Sequence, residues 1–81
     1  MYMYVYILRS LKDGGFYIGI SKDPVTRLRE HNRGETKSTK NRVPFVLIYK
    51  EKFNSYKDAR IKEKQIKSYK GGNSFKKLIG V

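Results

Sequence analysis

From Tyr2 to Ile7 the chain alternates, with Tyr2, Tyr4 and Tyr6 on one side of an extended backbone and Met3, Val5 and Ile7 on the other. This pattern predicts a first strand over Met1 to Arg9. A second strand is expected over Gly15 to Ser21, and Lys12-Asp13-Gly14-Gly15 between the two carries turn chemistry. A connection with an even number of residues puts odd positions of the first strand on the same face as even positions of the second. One face is then aliphatic, and the other holds the tyrosines beside Gly19, a gap that leaves the backbone accessible. A half-buried hairpin needs only the aliphatic side.

Asp23-Pro24 then reads as a helix cap followed by the first helical residue, and Gly34 suits a left-handed stop after Asn32 or Arg33. Val25 and Leu28 are expected on the core side of this helix. A third strand is expected over Pro44 to Lys52. Its run Phe45-Val46-Leu47-Ile48-Tyr49 is apolar enough for both faces to be covered, which predicts a central place in the sheet. Asn54-Ser55, with Asp58 three residues after Ser55, starts a second helix that runs to about Lys70 before Gly71-Gly72. Tyr56, Ala59, Ile66 and Tyr69 form its inward stripe. Asn73 or Ser74 is the expected cap of a last short helix that seals the core with Phe75, Leu78 and Ile79. The element order is therefore β-β-α-β-α-α, an α+β chain, within one domain over residues 1–81.

Charge changes the picture most. Nineteen Lys and Arg against seven Asp and Glu give a net charge of +12 in 81 residues, an excess that makes a polyanion the expected partner. Nucleic acid comes first and an anionic membrane surface second. The chain has no cysteine, which removes disulfides, thiolate chemistry and Cys-based zinc sites and fits a reducing compartment. No apolar run is long enough to span a bilayer, and Met1 to Leu8 lacks a basic leader, so a cytoplasmic location without membrane contact is expected.

Several residues then compete between plain and chemical roles. Tyr6 and Tyr17 are good strand residues whose hydroxyls can simply stay wet, or they line a site beside Gly19. Arg27 and His31 are one helical turn apart. Each alone reads as a surface residue, but together a guanidinium fork and an imidazole can hold a phosphate. Lys37, Lys40 and Arg42 interleave with Ser38, Thr39 and Asn41 in a loop suited either to gripping phosphates or to solvent. Glu63 lies within the inward stripe of the second helix, where a carboxylate costs several kcal/mol unless a cation meets it. A salt bridge to Arg27 or to a neighbouring Lys answers that cost. A divalent metal completed by water and substrate phosphate answers it equally well.

In order and spacing this set resembles the GIY-YIG nuclease superfamily, above all its small stand-alone bacterial members. The likeness covers nearly the whole chain: Tyr6 ends the first motif, Tyr17-Ile18-Gly19 is the second, Arg27 and His31 follow on the helix, and Glu63 stands on the helix after the third strand. Tyr4-Val5-Tyr6 departs from the usual Gly-Ile-Tyr. Ile20 stands where some members place a lysine, which leaves Lys22 as the nearby base, and Asn73 is the nearest match to a late asparagine.

The resemblance implies a three-stranded antiparallel sheet flanked by helices, in agreement with the β-β-α-β-α-α order, and an endonuclease that hydrolyses DNA phosphodiesters with Mg²⁺ or Mn²⁺ on Glu63. Tyr17 would then be the base or water-positioner, Arg27 the charge stabiliser, Tyr6 an orienting group, and His31 a proton or phosphate partner. Lys22, Lys37, Lys40 and Arg42 would contact nucleic acid. A structure-selective or partner-directed role in DNA repair or recombination follows from the lack of a separate DNA-reading domain. The rival is a binding module that keeps the fold, grips nucleic acid through its bases and stacking tyrosines, and cuts nothing. A basic structural or ribosome-associated protein ranks third, because it leaves the ordered Tyr, Tyr, Arg, His, Glu set unexplained.

Overall fold

The computed structural model describes residues 2–80; Met1, the expected start of the first strand, and Val81 lie outside them. Three antiparallel strands, β1 (Met3–Ser10), β2 (Phe16–Ser21) and β3 (Phe45–Phe53), form one sheet in the order β2-β1-β3. Helix α1 (Pro24–Asn32) follows the hairpin, and α2 (Tyr56–Ser68) and α3 (Asn73–Ile79) follow β3.

The hairpin keeps the expected face relation, with Val5 opposite Ile20, Ile7 opposite Ile18 and Tyr6 opposite Gly19. Its turn is built on Ser10, whose buried Oγ accepts from the backbone N–H groups of Lys12 and Asp13, both at 3.1 Å. Gly14 supplies the left-handed residue of the turn, with φ of 74°.

The central strand is β1, not β3. Val5, Tyr6, Ile7 and Leu8 are each 1 % exposed or less, because β1 is paired on both edges and covered on both faces. β3 is an edge strand, and only Phe45 within it is fully buried. On one face Val5 and Ile7 pack with Ala59, Ile66 and Phe75. On the other, Tyr6, Leu8 and Phe45 pack with Tyr17, Leu28, Val43 and Leu47.

Both long helices start as their caps predict. Asp23 accepts from the Thr26 N–H at 3.2 Å and Ser55 from the Asp58 N–H at 3.2 Å. Gly34 carries the left-handed φ of 76° after α1. Asn32 then fastens the end of α1 to the start of β3, donating to the Phe45 carbonyl at 3.0 Å and accepting from the Phe45 N–H at 2.6 Å. Three smaller expectations fail. Val25 and Tyr56, each in the first turn of its helix, are exposed. Neither Asn73 nor Ser74 caps α3: the cap position is Gly72, and no side chain bonds there.

Candidate active site

Three of the sequence-selected residues meet on the α1 face of the sheet. Tyr6 reaches there from the central strand because Gly19, its cross-strand partner, has no side chain: a Cβ on Gly19 would stand 2.6 Å from the Tyr6 hydroxyl oxygen. The glycine gap is therefore filled by the phenol and is not open to a ligand. Tyr6 Oη lies 3.5 Å from His31 Nε2, and His31 Nδ1 lies 2.7 Å from Thr39 Oγ1. Thr39 in turn donates to the Thr36 carbonyl at 3.4 Å. That last bond sets the direction of the whole chain. The Thr39 hydroxyl gives its proton to a carbonyl, so it accepts from His31 Nδ1–H, and Nε2 is left with the lone pair that accepts from Tyr6.

His31 is fully buried rather than a surface residue. Burial first, and the Arg27 charge second, push its pKa below the ordinary value, against a smaller opposing pull from Glu30. The imidazole is thus held neutral. Burial raises the Tyr6 pKa, while the neighbouring Arg27 guanidinium works the other way, so the phenol stays protonated and able to donate. Tyr17 packs its ring on His31 at 4.7 Å between centroids and on Tyr6 at 6.3 Å. Unlike those two it is only half-buried, and it presents the group's accessible phenol.

Arg27 borders this cluster from α1 and is held by Glu30 at 2.6 Å, one turn along. It does not meet Glu63. That carboxylate, 6 % exposed, is satisfied within its own helix by Arg60 at 2.6 Å and Lys67 at 3.3 Å. Its neighbours on the inner face of α2, Ala59 and Ile66, pack on the sheet face opposite Tyr6. The shared element is β2, the outer strand, which carries Tyr17 on one face and is packed by α2 on the other.

The basic residues divide. Lys22, Lys37 and Lys40 are exposed. Arg42 is committed elsewhere: it pairs with Asp13 at 2.9 Å and lies over the Phe45 ring at 5.5 Å, tying the hairpin turn to the loop. That contact holds the Asp13 carboxyl down at about 2.

One residue of this site, Glu30, has no part in the sequence analysis, and another, Thr39, figures there only as a member of the basic loop and not as a partner of His31. Glu30 was visible in principle, as an acid one turn after Arg27. Thr39 was not, because only the fold brings a loop threonine beneath His31.

A family model described as the GIY-YIG catalytic domain matches residues 2–76. The chain belongs to the GIY-YIG family. A UPF0213 protein of Staphylococcus saprophyticus is 40 % identical over 67 residues, covering 82 % of this chain and 80 % of the relative. A UPF0213 protein of Staphylococcus aureus matches with the same identity and coverage. The solution NMR structure of a UPF0213 protein from Bacillus halodurans superposes with a TM-score of 0.61 at 33 % identity, covering 99 % of this chain and 84 % of that one.

GIY-YIG domains are nuclease domains that generally use a divalent metal ion. Among the described residues no group of three His, Asp or Glu side chains could cage one. Glu63 offers a single carboxylate already engaged by two cations, a donor set that suits only an ion finished by water and substrate phosphate. No helix among the described residues is long and apolar enough to cross a membrane.

Proposed function

We propose that this single-domain protein is a cytoplasmic DNA endonuclease that hydrolyses phosphodiester bonds with Mg²⁺ or Mn²⁺, in repair or recombination, directed by DNA structure or by a partner. The observation that carries this reading is the accessible Tyr17 phenol packed on a buried His31 whose ring nitrogens both have partners. A surface that only binds a polyanion has no need of an imidazole fixed in one tautomer beneath a half-buried phenol.

The residues then take distinct parts. Tyr17 orients the attacking water or, as a phenolate, accepts its proton, and Arg27 neutralises charge gathering on the phosphoryl oxygens. Tyr6 and His31 are too deeply buried to touch DNA. They position Tyr17 from behind, with Tyr6 Oη–H directed at His31 Nε2. Glu63 would hold the metal, which when bound supplies Lewis-acid stabilisation of the leaving oxygen. Lys22, Lys37 and Lys40 contact the phosphate backbone, and Arg42 shapes the loop that presents Lys37 and Lys40.

The test is nicking of supercoiled plasmid and of branched DNA in Mg²⁺, Mn²⁺ or EDTA. Tyr17→Phe should slow cutting by about a hundredfold or more. Glu63→Gln should abolish it with DNA binding retained, and cutting that survives Glu63→Gln would refute the metal role. A second reading, the non-catalytic binding module, is favoured by one observation: Arg60 and Lys67 already account for the Glu63 carboxylate. It predicts no cutting on any substrate and salt-sensitive binding that Glu63→Gln leaves unchanged.

A further inference from the structure

The α1 face of the sheet is only partly covered. Cross-strand partners share a face, so it consists of three rows: Tyr17, Leu8 and Leu47; then Gly19, Tyr6 and Lys50; then Ser21, Tyr4 and Lys52. Helix α1 packs Leu28 over the first row. The far end stays open, where Tyr4 is half-buried, Lys50 and Lys52 are exposed, and Tyr2, next on the same side, is 55 % exposed.

On this open end each tyrosine carries its own lysine. Lys52 Nζ lies 3.7 Å from the centre of the Tyr2 ring, and Lys50 Nζ lies 5.9 Å from the centre of the Tyr4 ring. Lysines on an outer strand discourage strand addition, but that role needs only the charge. It does not call for a tyrosine beside each one. Alternating aromatic rings and ammonium groups on one open sheet face form a stacking platform with a phosphate-binding rim. Two strand positions span about 6.7 Å, twice the roughly 3.4 Å layer spacing of bases, so one base fits between the two ring positions. An exposed Lys–Tyr contact is worth only about 0.5–1 kcal/mol, which an incoming base displaces readily.

We propose that Tyr2 and Tyr4, with Lys50 and Lys52, bind unpaired nucleotides of the strand that leads to Tyr17, so that the substrate is DNA with a single-stranded segment beside the scissile bond. This rests on the nuclease reading for its direction, since the platform continues the row that holds Tyr6. It differs from the basic loop, which has no exposed aromatic ring among Lys37, Lys40 and Arg42.

The test is binding of the full chain, in EDTA, to fluorescent oligothymidylate and to a blunt duplex, read by anisotropy. Tyr2→Ala and Tyr4→Ala should each weaken oligothymidylate binding about fivefold or more, with duplex binding unchanged. The Lys50→Ala/Lys52→Ala double variant alters only exposed positions. It should lower the salt slope of single-strand binding by about 1.4, about 0.7 for each phosphate that is no longer neutralised. Photocrosslinking to an iodouracil oligonucleotide should mark Tyr2 or Tyr4.

Single-strand affinity unchanged in all these variants, or duplex affinity falling in parallel, overturns the proposal, as does crosslinking confined to the basic loop. Because the readout is binding without metal, the nuclease reading is judged separately. Normal plasmid nicking with no platform effect sinks this inference alone, and platform binding without any nicking sinks the nuclease reading alone.

Discussion

The same three strands bury two different kinds of chemistry on their two faces. Against α2 and α3 the sheet presents Val5, Ile7, Ile18 and Ile20, closed by Ala59, Ile66 and Phe75. Against α1 it presents Tyr6 and Tyr17, closed around His31 and Thr39. Each layer also buries an ionisable side chain, Glu63 in one and His31 in the other, and these two are satisfied differently. Glu63 in the α2 layer lies in ion pairs with Arg60 and Lys67, whereas His31 in the α1 layer is uncharged within a directed hydrogen-bond chain. The apolar face can hold the domain together without specifying any geometry at its rim, while on the polar face Tyr6, His31 and Thr39 are tied to one another by hydrogen bonds. Stability should therefore depend on the aliphatic residues of the first face, and function on the second face together with Glu63.

The largest break in that comparison is Ile66→Ala. Ile66 is fully buried in the aliphatic cluster, and such a truncation costs about 2–5 kcal/mol, much of what a small domain has in total. Thermal unfolding should show a large drop in midpoint. Any residual nicking, per folded molecule at low temperature, should equal wild type. A variant that is folded but has lost activity would mean that the two faces are not separable.

A smaller break is Gly19→Ala, which touches only the polar face. The added methyl would fall 2.6 Å from the Tyr6 hydroxyl oxygen and 2.7 Å from Cζ, so the ring must move and its hydroxyl is drawn away from His31. Overpacking of this kind costs about 1–3 kcal/mol. Nicking should fall by more than that loss of stability explains. An unaltered rate together with an unaltered unfolding midpoint would show that the phenol can shift without consequence.

How far these faces could be read in the chain follows from particular residues. The element order was legible because Asp23-Pro24, Ser55 and Gly34 act locally, through caps and a left-handed stop that need no tertiary context. The central strand was misplaced because tyrosines were counted as wet. With Tyr4 and Tyr6 taken as polar, β1 looks half-buried, and Phe45 to Tyr49 becomes the more apolar run. The fold instead buries the Tyr6 ring over Gly19, which makes Val5 to Leu8 a strand covered on both sides. That Tyr6, Tyr17 and His31 belong together, with Arg27 beside them, was legible by spacing and resemblance. Thr39 was not, since its role depends on where the basic loop returns beneath α1, and no local pattern encodes that. The separation of Glu63 from the His31 cluster was equally hidden, because helix periodicity shows that a residue points inward but not which face of the sheet it meets.

The smallest expected effect is the most specific to the polar face, and it is a dependence on pH. In the folded chain His31 takes up a proton less readily than the ordinary histidine value of about 6.5. The groups facing it are Tyr6, Tyr17, Arg27, Thr39 and Glu30, and of these Arg27 reinforces the effect of burial while Glu30 opposes it. Below about pH 6.5 the unfolded chain therefore binds more protons at this position than the folded one, and stability falls as the pH is lowered toward the folded value. Above about 6.5 the contribution is fully present.

Urea unfolding from about pH 8 to about pH 5 should thus show a midpoint that is flat at first and then declines, by at most about 1.4 kcal/mol per pH unit. His31→Gln should be less stable at the upper end and should lack that decline. Asp13, held down at about 2, stays ionised in the fold throughout this range and releases its contribution only in stronger acid, so it does not mimic the signal. Parallel curves for wild type and His31→Gln would mean that the imidazole takes up its proton as easily in the fold as outside it. The directed chain from Tyr6 to Thr39 would then not be what holds the α1 face in register.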